Sequence, residues 1–229
     1  MSLSGSGAVA IWHDIAPEGR DVFYAWHGRE HMPERASIPG FVRGRRYVAV
    51  EGTPEFFNLY ETSSPSVLTG PDYLARLNAP TEWTTATVKH FRNVSRSLCE
   101  VATSHGEGQG GLVATYRYDV DDAKAERHRE RMAALLPRIA LEPGIAGSHL
   151  LVADPVGSAI ETAEKRARSN ATQIPRWIVL LEGWGDIEPF VRTARAFAGH
   201  DAFGDGEAPA QWAVYRLQNS RSASFNRRP

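Results

Sequence analysis

The chain has a single cysteine in 229 residues, which excludes an internal disulfide and any multi-cysteine metal site. Cys99 stands in the apolar stretch SLCEVA and reads as core, because a free thiol packs like a small hydrophobe. An excess of one charge is also lacking. Lys and Arg number 26 against 27 Asp and Glu, a net charge of −1, so there is no electrostatic footprint for nucleic acid or an anionic membrane. Long hydrophobic runs are missing: WIVLL (177–181) is among the longest and falls far short of a bilayer span. The opening MSLSGSG has neither the basic nor the apolar part of a secretory signal. A cytoplasmic location is the expectation.

What is present is a repeat. IPGFVRGRRYVAVEG (38–52) resembles EPGIAGSHLLVADP (142–155), with Pro39-Gly40 and Pro143-Gly144 separated by 104 residues. The same offset lays AVAIWHDI (8–15) on LVATYRYD (112–119), and both read as strands. Helix-like segments follow at 17–32 and 121–140. Further strands are expected at 55–62 and 176–184, helices at 65–78 and 186–198, with more helical turns at 80–90, and closing strands at 95–102 and 211–218. Each half is therefore β-α-β-β-α-β, a ferredoxin-like unit. The boundaries are 8–103 for the first repeat, 104–111 for a Gly-rich linker, 112–218 for the second repeat and 219–229 for a loosely held tail. The second repeat has an extra segment, 156–172, which reads as a surface helix with Glu-to-Arg pairing.

Several strands are apolar on both parities. Ala8, Ala10 and Trp12 alternate with Val9, Ile11 and His13, and WIVLL has no polar face. Two-sided burial predicts an α+β fold of two tandem ferredoxin-like repeats, packed sheet to sheet as a barrel-like pseudo-dimer with the helices outside.

In FYAWHGREHMPERASIPGFVRGRRYV the chain resembles the dimeric α/β-barrel superfamily and is most similar to EthD-like proteins, named for ethyl tert-butyl ether degradation. The resemblance rests on Phe23, Tyr24 and Trp26, then His31-Met32-Pro33, then Pro39-Gly40 ahead of Arg45, Arg46 and Tyr47. It covers most of the first repeat; the second matches in fold pattern only. It implies a cleft between sheet and first helix that binds small, often carboxylated or aromatic molecules. Arg46 would anchor a carboxylate or enolate there. Relatives include isomerases, cyclases, cofactor-free monooxygenases and haem proteins, so the resemblance speaks to fold more than to reaction.

His27-Gly28-Arg29-Glu30-His31 also spells H-x-x-E-H, the inverted zinc-protease signature. Zinc needs both histidines on one face of an unbroken helix and a third ligand. Gly28 weakens that helix, Pro33 is expected to end it near Met32, and no downstream motif supplies the third ligand. No metal is therefore expected. Instead, His31 near a helix C-terminus, with Glu30 and Glu34 close in sequence, is expected to favour the imidazolium and to act as acid or base. The candidate catalytic set is His31, His27, Glu34 and His13. The candidate substrate-binding set is Arg46, Tyr47, Trp12 and Trp26. At the 104-residue offset, His13, His27 and His31 fall on Arg117, Arg131 and Leu135, so the second repeat keeps the fold and drops the histidines.

The leading expectation is a metal-free acid/base enzyme, of isomerase, cyclase or cofactor-free monooxygenase type. Its substrate is small, apolar or aromatic, and carboxylated or not. It requires an apolar cavity of several hundred Å³ in which these groups converge. A non-catalytic binding or structural protein predicts a cavity without a polar cluster, or histidines facing water. Haem binding is a third reading and zinc hydrolysis the last. The expected partner is a small molecule, with a second copy of the chain allowed and no nucleic acid or membrane.

Overall fold

Strands with two apolar faces need cover on both sides. The computed structural model describes residues 3–168, 171–206 and 208–223, and it supplies that cover. The strands are β1 (Gly7–Ile15), β2 (Phe41–Glu51), β3 (Phe56–Thr62), β4 (Phe91–His105), β5 (Leu112–Tyr118), β6 (Ile145–Ala153), β7 (Trp177–Gly183) and β8 (Gln211–Ser222). They close into one barrel in the order β1-β3-β2-β8-β5-β7-β6-β4. Each half contributes the ferredoxin-like order, β4-β1-β3-β2 and β8-β5-β7-β6. The halves join where β2 pairs with β8 and β4 with β6, both antiparallel. The pseudo-dimer thus forms within one chain, and closure leaves no sheet edge exposed.

Alternation along each strand now has a physical meaning. Ile178 and Leu180 of β7 point into the barrel with Trp12, Tyr47, Phe57, Cys99 and Tyr215. Trp177, Val179 and Leu181 of the same strand lie under the helices. One end of the interior is ionic. Arg43 donates to Glu61 at 2.8 and 2.9 Å. Arg45 lies 3.1 Å from Glu61 and donates to Glu182 at 2.9 Å. Two buried cations are thereby balanced by two buried carboxylates, the condition for burying charge without a heavy penalty.

The first repeat is covered by α1 (Arg20–Trp26), a widened π-helical turn (His27–His31) and α2 (Met32–Ser37), which run on continuously, and by α3 (Pro71–Asn78) and α4 (Glu82–Val88). Pro33 does not end this helix: Met32 keeps φ −63° and ψ −44°. Pro33 has no N–H for the carbonyl four residues back, and its ring crowds that carbonyl. The widened turn directly ahead of it makes the room. The second repeat is covered by α5 (Ala125–Ile139) and α8 (Ile187–Ala198). Its extra segment forms α6 (Pro155–Ala159) and α7 (Ala163–Arg168), and α7 packs against α3 and α4 of the first repeat. β8 continues to Ser222, into the stretch read as a tail; positions 224–229 lie outside the described residues. Among the described residues no helix is long and apolar enough to cross a membrane.

The repeat is real, but its offset is not uniform. Gly40 and Gly144, with φ of 88° and 83°, occupy equivalent turns 104 residues apart. Through the first strand and helix, buried faces match only at 105. Trp12 corresponds to Arg117 inside the barrel, while Phe23, His27 and His31 correspond to His128, Met132 and Leu136 under the helix. Where the first repeat buries His27 and His31, the second buries Met132 and Leu136.

Candidate functional site

The widened turn places two imidazoles beneath the first helix, against the outer face of β3. His27 and His31 are both buried, with ring centroids 5.5 Å apart. Arg46 on β2 donates to Nδ1 of His27 at 3.3 Å. A guanidinium only donates, so Nδ1 must be the acceptor. The neutral ring then carries its proton on Nε2 and donates it to the hydroxyl of Tyr60 at 3.1 Å. Tyr60 is left with its own O–H to give, and burial holds that phenol well above its ordinary pKa.

His31 has no such orientation. Its Nδ1 is buried without a hydrogen-bond partner among the described residues, and Trp26 packs on its ring at 4.3 Å. Burial, helped by Arg35, His13 and Arg168, pulls its pKa well below the ordinary 6.5. His31 is therefore a neutral base, not the imidazolium expected from a helix terminus. The helix does not stop there, and neither carboxylate approaches the ring: Glu30 accepts from Thr81 and Thr84, and Glu34 accepts from Arg35 at 2.8 Å.

Both histidines line a small cavity of about 30 Å³ between the sheet and the helices, outside the barrel. Ile11, Trp26, Val88 and Phe91 supply its apolar wall, and Asn58, Tyr60 and Tyr73 its neutral polar groups. Arg35, Arg96, Glu164 and Arg168 complete it, the last two from α7 of the second repeat. Arg35 is spoken for by Glu34 and by Glu164 at 2.5 Å. Arg96 donates to the Tyr73 hydroxyl at 3.0 Å. Arg168 is buried, its Nε has no partner among the described residues, and burial lowers its pKa against the opposing pull of Glu164. Three cations thus meet one carboxylate on the lining, a surplus that favours an anionic guest.

The expected site residues divide accordingly. His27, His31 and Trp26 line the cavity. His13 stands one step behind it: its Nδ1 faces the Asp14 carbonyl at 3.4 Å, so its Nε2 accepts from the Asn58 amide at 2.9 Å. Burial lowers the His13 pKa to about 3. Arg46 does not line the cavity as a carboxylate anchor. It backs His27, bonds Gln218 at 3.0 Å and lies 4.9 Å over the Tyr24 ring. Glu34 lies outside, held by Arg35. Trp12 and Tyr47 point the other way, into the barrel, where the Trp12 indole donates to Thr115 at 3.1 Å. Sequence reasoning missed Asn58, Tyr60, Arg35, Arg96, Glu164 and Arg168.

The H-x-x-E-H residues do not converge. Both His27 nitrogens are engaged, Glu30 turns to α4, and among the described residues no group of three His, Cys, Asp or Glu is disposed to hold a metal. The cavity is also far below the several hundred Å³ anticipated. It has room for about one water, and haem does not fit it at this size.

No protein-family model matches the chain, and no curated protein matches it. Solved structures match it in fold. An anthrone oxidase-like protein aligns at TM-score 0.66 and 12% identity, over 98% of this chain and 96% of that one. A proposed monooxygenase from Fusobacterium nucleatum aligns at 0.57 and 11%, over 96% of each. A proposed monooxygenase from Lactobacillus acidophilus aligns at 0.53 and 13%, over 95% and 97%. None of these three is described as EthD-like; what they share with the chain is the dimeric α/β-barrel fold.

Proposed function

We propose that the chain is a metal-free small-molecule enzyme in which neutral His31 is the general base for a small carboxylated or aromatic substrate. The observation that supports this most is the buried, unpaired His31 imidazole on the same cavity as the Tyr60 hydroxyl and the Arg168 guanidinium. His31 takes a proton from an acidic C–H or a phenolic O–H, and the electron pair left behind becomes an enolate or phenolate. Tyr60 gives its O–H to that oxygen, and Arg168 balances its charge. Arg46 fixes the His27 tautomer that leaves the Tyr60 proton available. The enolate is then reprotonated at another carbon or, as the reductant, bonds through its carbon to dioxygen; the peroxide so formed takes up a proton, its O–O bond breaks, and water leaves as that carbon becomes a carbonyl. The proposed monooxygenases among the structural neighbours favour the second outcome. A non-catalytic protein has less support, since the histidines are buried within a polar cluster. At about 30 Å³ the cavity has room for about one water, so α7, tied down by Glu164 to Arg35, must lift for a substrate to enter.

Two probes test this without knowledge of the natural substrate. Acetoacetate in heavy water reports proton removal as deuterium uptake at its central carbon, and anthrone with an oxygen electrode reports oxygenation. The protein is expected to accelerate at least one over buffer. The acid limb of that rate should lie below the ordinary histidine range, because His31 stays unprotonated through it. No acceleration of either, or an acid limb at or above about pH 6.5, contradicts the proposal.

A further inference from the structure

A second cavity, of about 450 Å³, opens at the end of the barrel opposite the ionic cluster. At its base stands Arg117 of β5, 7% exposed. Its Nη1 donates to the Ser95 hydroxyl at 3.1 Å and its Nη2 to the Thr53 carbonyl at 3.3 Å; its Nε has no partner among the described residues. The guanidinium lies 5.0 Å over the Trp12 ring. No carboxylate among the described residues pairs with it. Burial depresses its pKa, and the neighbour that opposes this is a phenol, Tyr215. Arg43, Arg45 and Arg35, by contrast, each hold at least one glutamate. A buried cation without a counter-charge is costly unless a ligand supplies one.

The rest of the cavity narrows the choice of ligand. Ile174, Pro175 and Pro209 give it an apolar wall. Ser95 accepts from Arg117 and hands its own proton to the Gln173 side chain at 3.3 Å, so the polar groups form a relay leading to the guanidinium. Asp119 also lines the cavity, accepting the Arg176 backbone N–H at 2.8 Å. Its negative charge disfavours a dianion. The volume is that of an ordinary small-molecule site.

We propose that this cavity binds an organic monocarboxylate, its carboxylate on the Arg117 fork and its apolar body against Ile174, Pro175 and Pro209. The site is separate from the cavity around His31. Adjacent β4 residues mark the division: Ser95 lines one cavity and Arg96 the other.

Calorimetry with benzoate tests the assignment. On the whole chain, benzoate should bind one to one and about tenfold or more tighter than neutral benzamide, and phosphate should bind more weakly than benzoate. Arg117→Gln should cost about tenfold or more in benzoate affinity, whereas Arg168→Gln should leave it unchanged. Should Arg117→Gln not fold, the unsubstituted protein decides: benzoate must shift the Nε–H resonance of Arg117, identified by its loss in Arg117→Lys. Equal binding of benzoate and benzamide, phosphate preferred over benzoate, a loss that follows Arg168 and not Arg117, or an unmoved Arg117 resonance each overturns it.

Discussion

Between pH 7 and pH 5 the fold is expected to lose about 4 kcal/mol of stability from two histidines alone. Burial holds His13 and His149 near a pKa of about 3 against an ordinary 6.5. His149 sits inside the barrel, taking or giving a hydrogen bond with Ser104 at 2.9 Å. As pH falls through 6.5, the unfolded chain takes up a proton on each ring while the folded chain takes up none until about 3. Acid therefore draws the equilibrium toward the unfolded state. The contribution is complete above 6.5 and shrinks by up to about 1.4 kcal/mol per pH unit for each ring. At pH 5 that is about 2 kcal/mol per ring. His27 and His31 are shifted in the same direction and add to the loss. Against a typical total of about 5–15 kcal/mol, this is a large share. Urea unfolding at the two pH values measures it, and His149→Gln should reduce the pH-dependent loss by about 2 kcal/mol. A flat stability across this range would contradict the buried, neutral assignment of these rings.

His31→Gln is expected to slow the deuterium exchange or oxygen uptake by about 10²–10⁴-fold, the usual contribution of a positioned general base. Glutamine is polar and of similar reach but cannot take a proton, so the cavity is preserved while the chemistry is removed. Stability at pH 7 should fall by about 1–3 kcal/mol, because the packing of Trp26 on the ring is lost and the buried amide lacks partners; folding at pH 7 is retained against a typical total of about 5–15 kcal/mol. Arg46→Met should act differently. Without a donor to Nδ1, the His27 tautomer is no longer fixed, and Tyr60 can be forced to donate to His27. The rate then falls while the acid limb, which belongs to His31, stays in place. A His31→Gln protein as fast as the parent removes His31 from the reaction.

The fold was legible because its signals are local. The two Pro-Gly turns require a left-handed glycine, and both have one. Strands with no polar face announced two-sided burial before any barrel was visible. Which face points inward was not legible. In RGRRYV, Arg45 and Arg46 are chemically equivalent as letters, yet one lies in the barrel on Glu182 and the other beneath the helix on His27. A uniform offset of 104 hides the one-residue shift that sends His31 to Leu136. Asn58 was the overlooked clue within the first repeat: an amide in the apolar FFNLYET, on the same face as Tyr60. Glu164 and Arg168 left no such clue. Their helix reads as solvated surface, and only the long-range path of the chain lays it over the first repeat.

The imidazolium expected at His31 is disfavoured for a physical reason. Sequence placed it at a helix end with acids at hand, which would raise its pKa. In the fold, desolvation outweighs a macrodipole effect of about 0.3–1 kcal/mol, the helix continues, and the nearest charges are arginines.

Central to the proposed chemistry is His31 as a buried, neutral imidazole. Its ring carbon and proton resonances, followed by NMR from pH 8 to about pH 5.5, test that directly. The expected result is a ring that stays neutral throughout. A His31 titration midpoint at or above about 6.5 would show an imidazolium-forming ring open to water, and the proposed base would be lost with it.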